Sequence, residues 1–87
     1  MEFEWDDANL DHIALHGVEP EECEDAFINP GRQPFNTYST ANETRYGIVG
    51  RSNAGRILIV VFTLRGQFIR VVTARDASVR EKRQYRR

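Results

Sequence analysis

The spacing of apolar side chains changes along the chain, and each change marks an element. The longest apolar run covers residues 57–62, and a second, 68–72, is interrupted once, by Arg70. Both are rich in β-branched and aromatic residues, which favours strands over helix. Between them lies Leu64-Arg65-Gly66-Gln67, where Gly66 can take the positive φ of a short hairpin connection. Residues 56–75 therefore predict a hairpin of two strands, 56–63 and 68–74, in the middle of a sheet.

Upstream the period lengthens. Leu10, Ile13, Ala14 and Gly17 recur at i, i+3, i+4 and i+7, which predicts an amphipathic helix over 7–16. Asp6 is its N-cap, Asp7 suits the positive end of the dipole, and Gly17 is placed to end it. A second helix starts at Pro20, buries Cys23, Ala26 and Phe27, and stops before Pro30. The pair reads as a helical hairpin with an acidic outer face.

From Gly31 onward, residues 35–38 predict a first, edge strand with Pro34 at its margin. Residues 39–43 form a polar loop, 45–51 a second strand, and Ser52-Asn53-Ala54-Gly55 a turn into the central strand. Short connections favour an antiparallel meander. Ser78 with Glu81 has capping-box spacing, so a last helix starts there. Its body is charged (Arg80, Glu81, Lys82, Arg83, Arg86, Arg87), with only Val79 and Tyr85 apolar, so it should lie on the surface. The expected fold class is α+β: an N-terminal helical hairpin, a four-stranded antiparallel meander sheet and a short C-terminal helix, in a single domain over residues 1–87.

Composition narrows the class without choosing a function. The 87 residues are 40% hydrophobic and 29% charged, ordinary for a globular protein with a modest core. No apolar run approaches the ~20 residues that span a bilayer. The opening MEFEWDD is acidic where a signal peptide is basic, and the one cysteine, Cys23, forms no internal disulfide. A cytoplasmic protein is expected.

Charge distribution changes the picture more. Residues 1–30 carry ten acidic side chains and no Lys or Arg, whereas residues 31–87 carry all twelve Lys and Arg against three acids. A half of −10 thus faces a half of +9 within a net charge of −1. That asymmetry predicts a polyanion-facing half and an acidic half that balances or covers it. Eleven of the twelve cations are Arg, whose guanidinium grips phosphate or carboxylate in a bidentate way.

Arg70 breaks an apolar strand, which predicts either a structural ion pair to the acidic helices or a bound anion. Arg75 lies at the same strand's end on the opposite parity. His12 and His16 have metal-ligand spacing on the first helix, but both fall off its apolar stripe and no further ligand completes a site. His16 is a candidate acid or base, or a charge that suits the helix C-terminus. Tyr46 and Tyr85 could stack on a base or donate a proton. There is no Gly-rich phosphate loop, nucleophile elbow or cysteine–histidine dyad, and neither metal nor cofactor is expected.

Several segments together resemble the BrnT family of type II toxins. They are Phe3-Glu4-Trp5-Asp6, His16-Gly17-Val18 followed by Pro20-Glu21-Glu22, Gly50-Arg51-Ser52-Asn53-Ala54-Gly55-Arg56, Ile69-Arg70-Val71-Val72-Thr73-Ala74-Arg75 and Glu81-Lys82-Arg83-Gln84-Tyr85. In the first helix, Leu15 and approximately Asn9 stand where many members carry Lys. The resemblance implies a RelE-like fold and an RNA-cleaving toxin neutralised by a DNA-binding, BrnA-like antitoxin. DNA is then met only through that partner. The implied chemistry is metal-independent transesterification of RNA, with Arg70 and Arg75 stabilising the phosphorane, His16 or Tyr85 carrying protons, and Glu81 as base or orienter. Arg45, Arg51, Arg80 and Arg83 are the expected RNA-binding residues. A rival reading is a non-catalytic protein whose Arg-rich face binds an acidic partner segment. Direct DNA binding is disfavoured, since no helix-turn-helix pattern is present.

Overall fold

A computed structural model describes residues 2–85, so Arg86 and Arg87 of the expected closing helix lie outside the described residues. The elements in chain order are β1 (Glu2–Phe3), α1 (Asp7–Ala14), α2 (Pro20–Ile28), β2 (Gln33–Phe35), β3 (Tyr46–Arg51), β4 (Ile57–Arg65), β5 (Phe68–Asp76) and α3 (Val79–Tyr85). The two apolar runs become β4 and β5, antiparallel partners joined across Gly66-Gln67, with Gly66 at φ +58. Strands β2 to β5 pair antiparallel in chain order, as a meander should.

Three expectations about the number, bounds and packing of the elements need correction. The sheet has five strands and is mixed, in the order β1-β5-β4-β3-β2, because β1 adds parallel to β5 through Glu2↔Phe68 and Phe3↔Ile69. The first antiparallel strand is Gln33–Phe35 and not 35–38; it includes Pro34, which an edge strand tolerates because one side of its backbone needs no partner. The two N-terminal helices also do not form a hairpin packed chiefly on itself. The first packs on β5 and the second on β3 and β4, since each has one apolar stripe and the sheet offers the larger apolar surface.

Local signals explain where the helices begin and end. Asp6 accepts from the Asn9 backbone N–H at 3.2 Å while the Asn9 side chain accepts from the Asp6 N–H at 2.8 Å. Gly17, at φ +67, ends the helix with the Val18 N–H donating to the Ile13 carbonyl and its own N–H to that of Ala14. That double bond pattern closes helices when the glycine is left-handed. Asn9 is buried, and its amide donates to the carbonyls of Glu4 and Val71, tying α1 to β1 and β5.

The sheet has an apolar cluster on each face. Ile13, Val18, Cys23 and Ala26 from the helices meet Leu58, Val60, Val71 and Ala74 on one side. On the other, Val49, Ile57, Ile59 and Ala77 pack with Phe35 and Tyr85 beneath α3. A bulge decides which arginines emerge where. Val61 pairs with Thr73 but Phe62 with Val71, leaving Val72 as an extra residue in β5. Arg70 then sits opposite Thr63 and Arg75 opposite Ile59, two β4 residues of equal parity. Both arginines therefore leave the sheet on the face opposite Leu58, Val60, Val71 and Ala74, correcting the opposite parity that plain alternation gives.

Helix α2 and strand β3 touch backbone to backbone at Gly50, where an added Cβ would lie 2.3 Å from the Ala26 carbonyl oxygen. Gly50→Ala must push the two apart. We expect a loss of about 1–3 kcal/mol in a urea melt, the usual cost of overpacking; an unchanged midpoint would contradict this packing.

Candidate active site

Arg56 lies just past the Ser52–Gly55 turn and holds the start of β4 to three other segments. Its Nε and Nη2 donate to Asp76 at 2.7 and 2.9 Å, a bidentate pair, and Nη1 donates to Glu22 at 3.0 Å. The same guanidinium donates to the carbonyls of Gly17 at 2.9 Å and His16 at 3.4 Å, the negative end of α1. These bonds, Asp76 first, raise the basicity of Arg56 and hold Asp76 below the usual carboxylate range.

Arg70 is similarly engaged at the other end of the hairpin. It donates to both oxygens of Asp6 at 2.9 and 3.1 Å and to Glu4 at 3.2 Å, and its side chain is 14% exposed. Asp6 thus caps α1 and fastens it to β5, and the arginine holds its carboxyl below the usual range. Arg65 adds a pair to Glu4 at 3.5 Å. The charge in the half-buried strand is met by the acidic N-terminus of the same chain.

Arg75 differs in its exposure and its partner. It donates through Nη1 and Nη2 to the two oxygens of Glu81 at 2.8 and 2.9 Å, with its side chain 42% exposed. Glu81 belongs to α3 and also accepts from the Ser78 N–H at 2.8 Å, the capping box expected there. Arg75 is the main cause that pushes the Glu81 carboxyl down to about 2. Glu81 and Tyr85 share one wall of a cavity of about 80 Å³, closed by Gln33, Pro34 and Phe35 of β2. The Tyr85 hydroxyl meets the Asn29 amide oxygen at 3.2 Å.

Of the five catalytic candidates, then, Arg75 is bonded to Glu81, and Glu81 shares a cavity wall with Tyr85. Arg70, roughly 16 Å along β5 at ~3.3 Å per residue, stands apart with Asp6. The exposed His16 lies beyond Arg56, reached through its backbone carbonyl, and its ring sits 6.1 Å from that of His12. Arg45 pairs with Glu43 at 3.1 Å. Arg51, Arg80 and Arg83 are exposed, and among the described residues none has a carboxylate within ion-pair distance. Among the described residues no group of three or more His, Cys, Asp and Glu is placed to hold a metal ion, and no helix is long and apolar enough to cross a membrane. Arg56 is not among the candidate site residues read from sequence, although it closes the Gly50–Arg56 segment that resembles the family and ends the turn.

The family model described as the ribonuclease toxin BrnT of type II toxin–antitoxin systems matches residues 5–81. The chain belongs to the BrnT family. No curated protein matches it. Membership makes it a toxin of the ribonuclease class with an antitoxin as its partner. The BrnT match takes in Arg56, Arg70, Arg75 and Glu81, while Glu4 and Tyr85 fall outside it.

Two outcomes follow from these ion pairs. A carboxyl held near 2 in the fold and near ~4.3 when unfolded stabilises at neutral pH and loses that contribution as pH falls between about 5 and 2. Glu81→Gln should therefore flatten the acid limb of stability in that window, as read by thermal melts across pH; an identical limb would contradict the pairing. Arg56→Ala, which strands Glu22, Asp76 and the α1 carbonyls, should cost on the order of 2 kcal/mol in a urea melt, against under ~0.5 for exposed Arg51→Ala.

Proposed function

We propose that this BrnT-family chain is an endoribonuclease that cleaves RNA by metal-independent transesterification at Arg75, Glu81 and Tyr85. The observation that carries the reading is the Arg75–Glu81 fork. A carboxylate meets the guanidinium with two parallel bonds on a solvent-facing edge of the sheet, and the same fork geometry suits two phosphate oxygens. Arg75 is the most open of the three bidentate hairpin arginines, and its partner comes from a helix with no buried residue.

In this mechanism the scissile phosphate replaces Glu81 on Arg75. Release from Arg75 removes the main cause of Glu81's low basicity, so substrate binding itself restores a competent base. Glu81 then takes the proton from the 2′-OH as that oxygen bonds to phosphorus. Arg75 stabilises the charge that develops on the phosphorane, and Tyr85 gives its proton to the 5′ oxygen as the P–O5′ bond breaks. The products are a 2′,3′-cyclic phosphate and a 5′-hydroxyl. His16 is the other proton carrier to consider; Tyr85 is preferred because it shares a cavity wall with Glu81. Arg70 fastens α1 and β1 to β5 and prepares the site at a distance. Arg51, Arg80 and Arg83 draw in the RNA backbone, a BrnA-like antitoxin covers the RelE-like sheet, and the reaction runs in the cytoplasm, with DNA met only through that antitoxin.

A second reading has one observation in its favour: the hairpin arginines are all occupied by the chain's own carboxylates. A non-catalytic protein gripping an acidic partner through Arg51, Arg80 and Arg83 would leave RNA intact. Cleavage assays in EDTA separate the two. Arg75→Ala should reduce cleavage at least about 100-fold while shifting the melt by less than ~1 kcal/mol, as for an exposed pair. Arg70→Ala should instead lower the melting temperature. Tyr85→Phe should lose far more activity than His16→Gln. Cleavage by Arg75→Ala at the wild-type rate would sink the assignment.

A further inference from the structure

The edge strand β2 has a groove on each side. Gln33 and Pro34 line the small cavity beside Glu81 and Tyr85, and the same two residues line a larger groove of about 410 Å³ on the helix-covered face. Two aromatic rings, Phe62 and Tyr46, line that groove. Phe27 meets Phe62 edge to face at 5.3 Å, and Tyr46 lies over Phe62 at 5.6 Å with 24° between the rings. Tyr46 is 44% exposed, although it sits on a strand. Arg32 closes the rim, its guanidinium carbon 6.0 Å from the centre of the Phe27 ring, and it is held there by a bond from Nη1 to the Asn29 carbonyl at 3.2 Å.

We propose that this groove is a nucleotide subsite, in which Tyr46 stacks one base of a single-stranded RNA and Arg32 takes the adjacent phosphate. The proposal rests on the ribonuclease reading and extends it from the scissile bond to the path of the strand. A flat ring with an open flank and a cation beside it are the two parts that recognise an unpaired nucleotide. Duplex RNA has no free base face to offer. The volume falls within the range of small-ligand sites, enough for a base and its sugar. The shared wall at Gln33 and Pro34 gives the route: a strand whose phosphate occupies Arg75 runs across β4 and β3, roughly 14 Å at ~4.8 Å per strand, passes the short β2 edge and places a base several nucleotides away on Tyr46. Tyr46 packs on Phe62 alone among the aromatic rings, so it holds its position without the ligand.

Binding is measured by fluorescence anisotropy with a labelled 2′-O-methyl oligonucleotide, which cannot undergo the transesterification, and with the matching duplex as control. Tyr46→Leu keeps apolar cover over Phe62 and removes the stacking face; it should weaken single-strand binding about tenfold, whereas Tyr46→Phe should bind as wild type does. Arg32→Gln should reduce the salt dependence of binding by about one phosphate contact. If wild type binds the single strand and Tyr46→Leu binds it equally well, the subsite is overturned and the ribonuclease reading stands. Equal loss of duplex and single-strand binding in Tyr46→Leu also overturns it, since stacking would not be the cause. If wild type does not bind the single strand at all, the ribonuclease reading fails and this proposal with it.

Discussion

An arginine on a half-buried strand must be met by a carboxylate or an anion, because the charge is costly to desolvate alone. The β4–β5 hairpin is bracketed by three such arginines, and the rest of the chain is arranged to meet them. Asp6 and Glu4 reach Arg70 from the N-terminus, Glu22 and Asp76 reach Arg56 from α2 and the end of β5, and Glu81 reaches Arg75 from α3. Three of the ten acidic side chains in the first third, Glu4, Asp6 and Glu22, therefore serve the molecule's own arginines. Replacing those three carboxylates would keep the apolar core but remove the links that set where α1 and α2 lie.

The elements that could be read from sequence are those with local causes. Asp6, Gly17, Pro20, Gly66 and the Ser78–Glu81 box each fix one turn of backbone through their own side chain or lack of one, and each sits where that chemistry placed it. What stayed hidden depends on residues far apart in the chain. Two residues of β1 have no periodicity of their own, and their pairing with β5 spans more than sixty positions. The extra residue at Val72 carries no Gly or other local mark, yet it moves Arg75 onto the face of Arg70. In the same way Arg75 and Glu81 were both visible as candidates, but which carboxylate answers which arginine is set by the register.

The three pairs are not equivalent, and the differences connect the fold to the chemistry. Arg56 and Arg70 are mostly shielded and bind carboxylates from several segments, so displacing those partners would loosen helices. Arg75 is more open and answers to a single carboxylate on a short helix that buries little. In the proposed mechanism an incoming phosphate exchanges with the internal partner there, at small structural cost, and Glu81 has two states: bound, when it is a very weak base, and displaced, when it regains ordinary basicity. A toxin built this way would assemble its base only on a substrate that fills the fork.

The most direct test is the titration of the Glu81 carboxyl by carbon-13 NMR, with and without a saturating uncleavable 2′-O-methyl oligonucleotide. In the free protein its midpoint should lie at about 2. In the complex it should rise toward the ordinary carboxylate range, near ~4.3, as phosphate replaces it on Arg75. A midpoint that stays at its free value in the saturated complex would contradict the exchange on which the mechanism rests.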